Sequence, residues 1–200
     1  MSRTVHPIEA ESYRIIRSVV DTTALPRRSR DVVERIIHTT ADPSWRDDLV
    51  LDEVSLDAAA QSLGGGAPLV VDVMMLAAGV TTYPSICLVG TREVRDLAAS
   101  VGLTRSAAAV RLAAERVGDG AVWAIGNAPT ALFELLRLAE TGAVRPALVV
   151  GLPVGYVGAA ESKAALRATA LPHLSNVSAR GGSAVAAAAV NALLYGDPLA

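Results

Sequence analysis

His38 is the residue of this chain best placed to move a proton. Of the three histidines, His6, His38 and His173, only His38 falls late in an amphipathic stretch. That stretch is Ser29–Ala41, where Val32, Val33, Ile36 and Ile37 recur at helical spacing. With Ser29 as the expected N-cap, His38 stands in the last turn. There the helix dipole and the unpaired carbonyl groups favour imidazolium over imidazole. A partly protonated imidazole near neutral pH can serve as a general acid, and the hydroxyls of Thr39 and Thr40 are expected to orient it. The same position also suits a histidine that only caps the helix.

Other candidate residues lie in loops. Gly126-Asn127-Ala128-Pro129-Thr130 follows an apolar run and opens a helix, with Asn127 as a cap and Pro129 in the first turn. Its backbone N–H groups could hold a carboxylate or phosphate, or the segment could be an ordinary corner. Gly151-Leu152-Pro153-Val154-Gly155-Tyr156-Val157-Gly158 places glycines around one tyrosine, which suits a floor beneath a flat ligand, and its spacing is not that of a dinucleotide fingerprint. Glu161 and Lys163 follow, as solvated helix surface or as part of a site. Thr104 is the expected N-cap of a helix whose first turn carries Arg105, a cation where the dipole disfavours one. That placement makes sense if Arg105 binds an anion, or if an acidic neighbour pairs with it. Arg180-Gly181-Gly182-Ser183 is a comparable anion nest. Asp72 lies in an apolar strand and is read as an anchor for neighbouring backbone groups. Met74 and Met75 are read as core filler, with a soft metal neighbour as the alternative, and Cys87 as a buried inert thiol.

These loops need a frame. Helical stretches are expected at Glu9–Val20, Ser29–Ala41, Leu56–Leu63, Glu93–Val101, Arg105–Val117, Thr130–Thr141, Ala160–Ala168 and Ser183–Leu194. Short apolar runs at Leu69–Val73, Ile86–Val89, Ala121–Ile125 and Ala147–Leu152 alternate with them and read as buried strands. That alternation predicts an α/β fold, a doubly wound parallel sheet with helices on both faces, as one domain over residues 1–200. Ligands of such sheets sit beyond the carboxyl ends of the strands, where most of the candidate loops fall.

Hydrophobic residues make up 52% of the chain and aromatic ones 4%, so the core is built from Ala, Val and Leu, which permit close helix–sheet approach. A net charge of −2 without a basic cluster argues against nucleic acid and anionic membrane surfaces. The single cysteine rules out an internal disulfide framework. The run Met1-Ser2-Arg3-Thr4-Val5-His6-Pro7 has no hydrophobic signal region, and the Ala-rich Val185–Leu194 is too short to span a bilayer. A soluble cytoplasmic protein without a membrane partner is expected.

In combination the segments are specific. Arg35-Ile36-Ile37-His38-Thr39-Thr40-Ala41-Asp42, Asp72-Val73-Met74-Met75 with Gly79-Val80-Thr81, Thr104-Arg105-Ser106-Ala107, Gly126-Asn127-Ala128-Pro129-Thr130-Ala131-Leu132, Pro153-Val154-Gly155-Tyr156-Val157-Gly158-Ala159-Ala160-Glu161-Ser162-Lys163 and Gly181-Gly182-Ser183 resemble the precorrin-8X and cobalt-precorrin-8 methylmutases of cobalamin biosynthesis. Two departures are Ala41, where a glycine is common, and Tyr156, where a phenylalanine is usual. The resemblance implies a flavodoxin-like fold, a homodimer, a tetrapyrrole substrate, and a reaction with neither redox cofactor nor resident metal. It implies that a methyl group moves from C11 to C12 of the macrocycle, giving hydrogenobyrinate or its cobalt form. It assigns His38 as the essential proton donor for a 1,5-sigmatropic shift, and it matches Ser12, Thr81 and Arg105 to substrate contacts. Thr39, Asn127 and Tyr156 join these as expected substrate-binding residues. Two other readings are a non-catalytic tetrapyrrole carrier and a flavin- or nucleotide-dependent enzyme on the same fold; the missing early phosphate loop counts against the latter.

Overall fold

Apolar residues alternate along three short strands, and each half of the alternation meets a different core. Leu69 and Val71, Val122 and Ala124, and Leu148 and Val150 face one cluster, while Val70, Trp123, Ile125 and Val149 face another. Strands buried on both faces require helices on both, and the computed structural model, which describes residues 5–199, has them. Met1–Thr4, the start of the run read as lacking a signal region, and Ala200 lie outside the described residues.

In chain order the elements are α1 (Pro7–Val19), α2 (Arg27–Thr40), α3 (Trp45–Asp48), β1 (Leu49–Val50), α4 (Glu53–Gly64), β2 (Leu69–Val71), α5 (Met74–Gly79), β3 (Ser85–Ile86), α6 (Arg92–Val101), α7 (Arg105–Val117), β4 (Val122–Ile125), α8 (Pro129–Glu140), β5 (Leu148–Gly151), α9 (Ala159–Arg167), β6 (His173–Asn176) and α10 (Ser183–Tyr195). The sheet order is β1-β6-β5-β4-β2-β3. Strands β2 to β6 are parallel and reverse their order between β2 and β4, the doubly wound flavodoxin-like arrangement, and β1 adds an antiparallel edge. Helices α1 to α5 and α10 cover one face, and α6 to α9 the other. No helix among the described residues is long and apolar enough to cross a membrane.

The Ala-rich α10 is the central helix of its face, packed on α2, α5 and the strands β4 and β5. Its small side chains let it lie very close. A Cβ added to Gly126 would fall 2.8 Å from Ala186 Cβ. Helix α2 starts two residues before Ser29, with Pro26 as N-cap and no side-chain cap. Its first turn is capped from outside, because Arg28 N–H and the Ser29 N–H and hydroxyl all donate to the Glu53 carboxylate at 2.8 Å. The helix stops at Ala41, which takes the left-handed conformation (φ 52°) that glycine adopts more easily.

The amino-terminal half of α2 carries a buried acidic cluster. Arg17 binds both Glu34 and Asp197 at 2.8 Å, whereas among the described residues neither oxygen of buried Asp31 has a hydrogen-bond partner. Burial first, and then the nearby Asp197 charge, push Asp31 up to about 6, against the opposing pull of Arg28, Arg27 and Arg30. An unfolded aspartate titrates near ~3.9. The folded state therefore holds the Asp31 proton more tightly, and its stability falls as pH rises from about 4 to about 6. Asp31→Asn should raise stability by roughly 1–3 kcal/mol at pH 7.5 and leave it unchanged below about pH 4. Urea denaturation at the two pH values checks this, and equal stability of parent and variant at pH 7.5 would contradict it.

Candidate active site

The crevice where the strand order reverses is the usual ligand position in this architecture. Here the protein fills it. Asp72 directly follows β2, and its carboxylate accepts N–H groups from Gly126 (3.1 Å), Asn127 (2.8 Å) and Ala128 (2.8 Å). The start of α8, read as either an anion site or an ordinary corner, thus holds the protein's own carboxylate. Asp72 is the backbone anchor anticipated from its place in an apolar strand. Burial pushes its pKa up against the opposing effect of the three donors. Asn127 is not the cap, since Ala128 occupies that position without a side-chain bond, and Asn127 itself is exposed.

Around this anchor the carboxyl rim displays one group of the expected residues. Thr104 caps α7 by accepting Ala107 N–H at 3.2 Å, and its hydroxyl lies 2.8 Å from that of Thr130 at the start of α8. Arg105, next to it, is exposed and makes no hydrogen bond or ion pair among the described residues. Tyr156 is 103% exposed and Val157 87%, so the Gly155–Gly158 loop presents a bare aromatic and aliphatic tip. Met74 and Met75 open α5 at 61% and 74% exposure and are not core filler.

His38 belongs to a second group. Its Nδ1 lies 2.8 Å from Ser12 Oγ, and its ring packs on the Tyr13 ring with centroids 5.3 Å apart. Tyr13 is in turn covered by the Arg35 guanidinium, which also lies over Tyr195. Arg35 reaches Glu9 at 3.0 Å. His38 and Ser12 open onto a groove of about 460 Å³ walled by Ile8, Ile15, Ile16, Val19 and Ile37, with Glu11 at its edge. Ile8, Ile15 and Val19 are exposed at 74%, 55% and 64%, an apolar stripe along α1. The hydroxyls of Thr39 and Thr40 do not orient the imidazole. They donate back to the carbonyls of Arg35 (2.9 Å) and Ile36 (2.8 Å), closing the last turn of α2. Thr81 is exposed beside Thr82, whose hydroxyl meets the Tyr195 hydroxyl, so it stands on the His38 side of the molecule.

His38 and Arg105 stand on helices of opposite faces of the sheet. Helices α1 and α2 lie outside α10 and α4 on one face, while Arg105 begins a helix of the other face. One further expectation is corrected. Lys163 is neither solvated nor part of a surface site; it is fully buried. The Arg180 side chain is turned away from an anion-binding role, because its guanidinium is held by Asp42 (2.5 Å), Ser44 Oγ (2.8 Å) and Asp48 (3.0 Å) over the Trp45 ring. Sequence reading missed Tyr13, Tyr195 and the exposed Ile8, Ile15 and Val19. Ile15 and Val19 lie within the helix expected at Glu9–Val20, but their spacing alone does not tell an exposed apolar stripe from a buried one. Among the described residues no cluster of His, Cys, Asp and Glu could hold a metal ion.

A family model described as Precorrin-8X methylmutase matches residues 7–196. The precorrin-8X methylmutase of Pseudomonas aeruginosa is 41% identical over 194 residues, 93% of each chain. The cobalt-precorrin-8 methylmutase of Methanothermobacter thermautotrophicus is 39% identical over 191 residues, 94% of this chain and 92% of that one. The crystal structure of precorrin-8X methyl mutase from Thermus thermophilus superposes with a TM-score of 0.86 at 34% identity, covering 93% of each chain.

Asp72→Asn places an N–H₂ where three N–H donors converge, so it should cost roughly 2–4 kcal/mol of stability. A lower urea midpoint with an unchanged slope is the expected result. A midpoint equal to the parent's would show that Asp72 does not anchor α8.

Proposed function

This chain belongs to the precorrin-8X methylmutase family, and from that premise we propose that it is the isomerase of cobalamin biosynthesis that moves a methyl group from C11 to C12 of precorrin-8X or its cobalt form. One observation carries the catalytic assignment: an imidazole with one nitrogen engaged by a serine hydroxyl, at the end of a helix, in an apolar groove. In the imidazolium, Nδ1–H donates to Ser12 Oγ, and Nε2–H is the proton delivered to a ring nitrogen of the macrocycle. The added charge makes the ring electron-poor and lowers the barrier to the 1,5-shift of methyl from C11 to C12. Loss of the same proton releases the isomeric product, so nothing is oxidised or reduced. The low-polarity wall supports this chemistry, because a proton donor acts more strongly where water does not compete.

The substrate's acetate and propionate arms call for cations and hydroxyls at the periphery, and Arg105, Asn127, Tyr156, Thr39 and Thr81 are assigned there. Since His38 and Arg105 lie over opposite faces of one sheet, the site is built from two copies: the α1–α2 groove of one protomer closed by the carboxyl rim of its partner. The exposed Ile8, Ile15, Val19, Tyr156 and Val157 support a homodimer, because such apolar area is rarely left bare on a monomer. The protein is read as one cytoplasmic domain, in keeping with its single cysteine.

Purified protein given a large excess of precorrin-8X should convert it over many turnovers; conversion of none, with one equivalent bound, is the carrier outcome. Rates with metal-free and cobalt-loaded substrate, measured side by side, identify the natural one. His38→Ala should keep the fold and much of the affinity and lose ~10²–10⁴-fold in turnover, and parent activity should fall as pH rises and depletes the imidazolium. A variant rate within a few-fold of the parent would reduce His38 to a helix cap. Arg105→Ala should weaken binding roughly ten- to a hundredfold with a smaller effect on turnover, and an unchanged dissociation constant would remove Arg105 from the site. Sedimentation at micromolar concentration should give a dimer mass; a fully active monomer would contradict the two-copy site.

A further inference from the structure

Lys163 is fully buried, and none of its three hydrogen bonds goes to a residue assigned to the substrate. Its Nζ donates to Asn176 Oδ1 (2.8 Å), Ser178 O (2.5 Å) and Arg180 O (2.6 Å), so all three ammonium hydrogens tie α9 to the turn after β6. That turn supports the Tyr156 loop. Gly182 N–H donates to Leu152 O at 2.9 Å, and Gly155 N–H donates to Ala179 O at 3.3 Å. The contact is too close for any side chain between the layers: a Cβ on Gly181 would fall 2.3 Å from Leu152 O and 2.6 Å from Pro153 O. The chain of contact is continuous, from the Lys163 ammonium to residues 176–182, then to residues 152–155, then to Tyr156.

We infer that Lys163 is a positioning residue that holds the Tyr156 loop in its substrate-binding place through the Asn176–Arg180 turn. The inference rests on the assignment of Tyr156 as a substrate contact. A buried methionine has the length to fill the space of Lys163 but offers no donor, so three acceptors of the turn would lose their common partner. The charged groups facing Lys163 are Asp48 from the end of α3, Arg167 from its own helix and Arg180 from the turn, with Asp42 neutralising Arg180 from the other side. Burial is the main influence on the ammonium and, with the two arginines, outweighs Asp48 and brings its pKa down to about 8. Above that pH the amine keeps two hydrogens for three acceptors, and the turn loosens.

The test is precorrin-8X binding measured by absorbance or fluorescence titration between pH 6.5 and 9. His38→Ala serves as the background, so that imidazole titration and turnover are both removed. In that background the dissociation constant should rise at least threefold as pH passes about 8. Adding Lys163→Met should raise it about tenfold at pH 7 and abolish the dependence near pH 8. Tyr156→Ala should also raise it at pH 7. If Tyr156→Ala binds as tightly as the background, the assignment of Tyr156 fails and the inference falls with it. If Tyr156→Ala weakens binding while Lys163→Met does not, the inference alone is overturned. Should Lys163→Met fail to fold, the pH titration of the background decides: a transition near pH 8 supports the inference and a flat profile overturns it.

Discussion

A single buried carboxylate sets where this fold can hold a ligand. Asp72 ends β2 and binds three successive N–H groups at the start of α8, so the crevice between β2 and β4 is closed by the protein's own charge. In a doubly wound sheet that crevice is the ordinary place for a phosphate or a carboxylate. The exposed candidate residues then fall elsewhere, on the rim around Thr104, Arg105 and Tyr156 and in the groove between α1 and α2. The closeness of α10 to the sheet serves the same end. Gly126 lies against Ala186, so the turn that Asp72 holds has no room for a bulkier residue.

The chemistry assigned to His38 depends on its surroundings more than on its position in the helix. Ser12 occupies one ring nitrogen, Tyr13 packs against the ring, and Arg35 lies beyond Tyr13. In the proposed two-copy site, dimerisation becomes part of catalysis, because His38 and Arg105 stand on helices of opposite faces of one protomer's sheet.

Much of the architecture was legible in the sequence, and what was hidden has physical causes. Leu69–Val71, Val122–Ile125 and Leu148–Val150 announce themselves as buried strands because both their faces are apolar. His173–Asn176 does not, because Ser175 and Asn176 are buried polar residues, and the Asn176 side chain meets its partners, Lys163 and Asp48, only in the folded chain. Leu49–Val50 is too short for alternation to be seen, and Ile86–Val89 shrinks to Ser85–Ile86 because it is an edge strand paired on one side. The expected cap at Ser29 failed because Glu53, far along the chain, caps that helix. His38 and Ser12 were both named in advance, yet their 2.8 Å contact was invisible, since nothing in one sequence records that two helices run side by side.

Mixed dimers test the two-copy site most directly. One chain carries His38→Ala and the other Arg105→Ala with Tyr156→Ala, and the heterodimer is isolated by two affinity tags. If each site takes His38 from one protomer and Arg105 and Tyr156 from its partner, one site of the heterodimer collects every substitution and the other none. About half the parent's kcat/KM per dimer is then recovered, although both homodimeric variants are nearly inactive at low substrate. A heterodimer as inactive as the two homodimers would place His38 and Arg105 in the same chain's site and contradict this account.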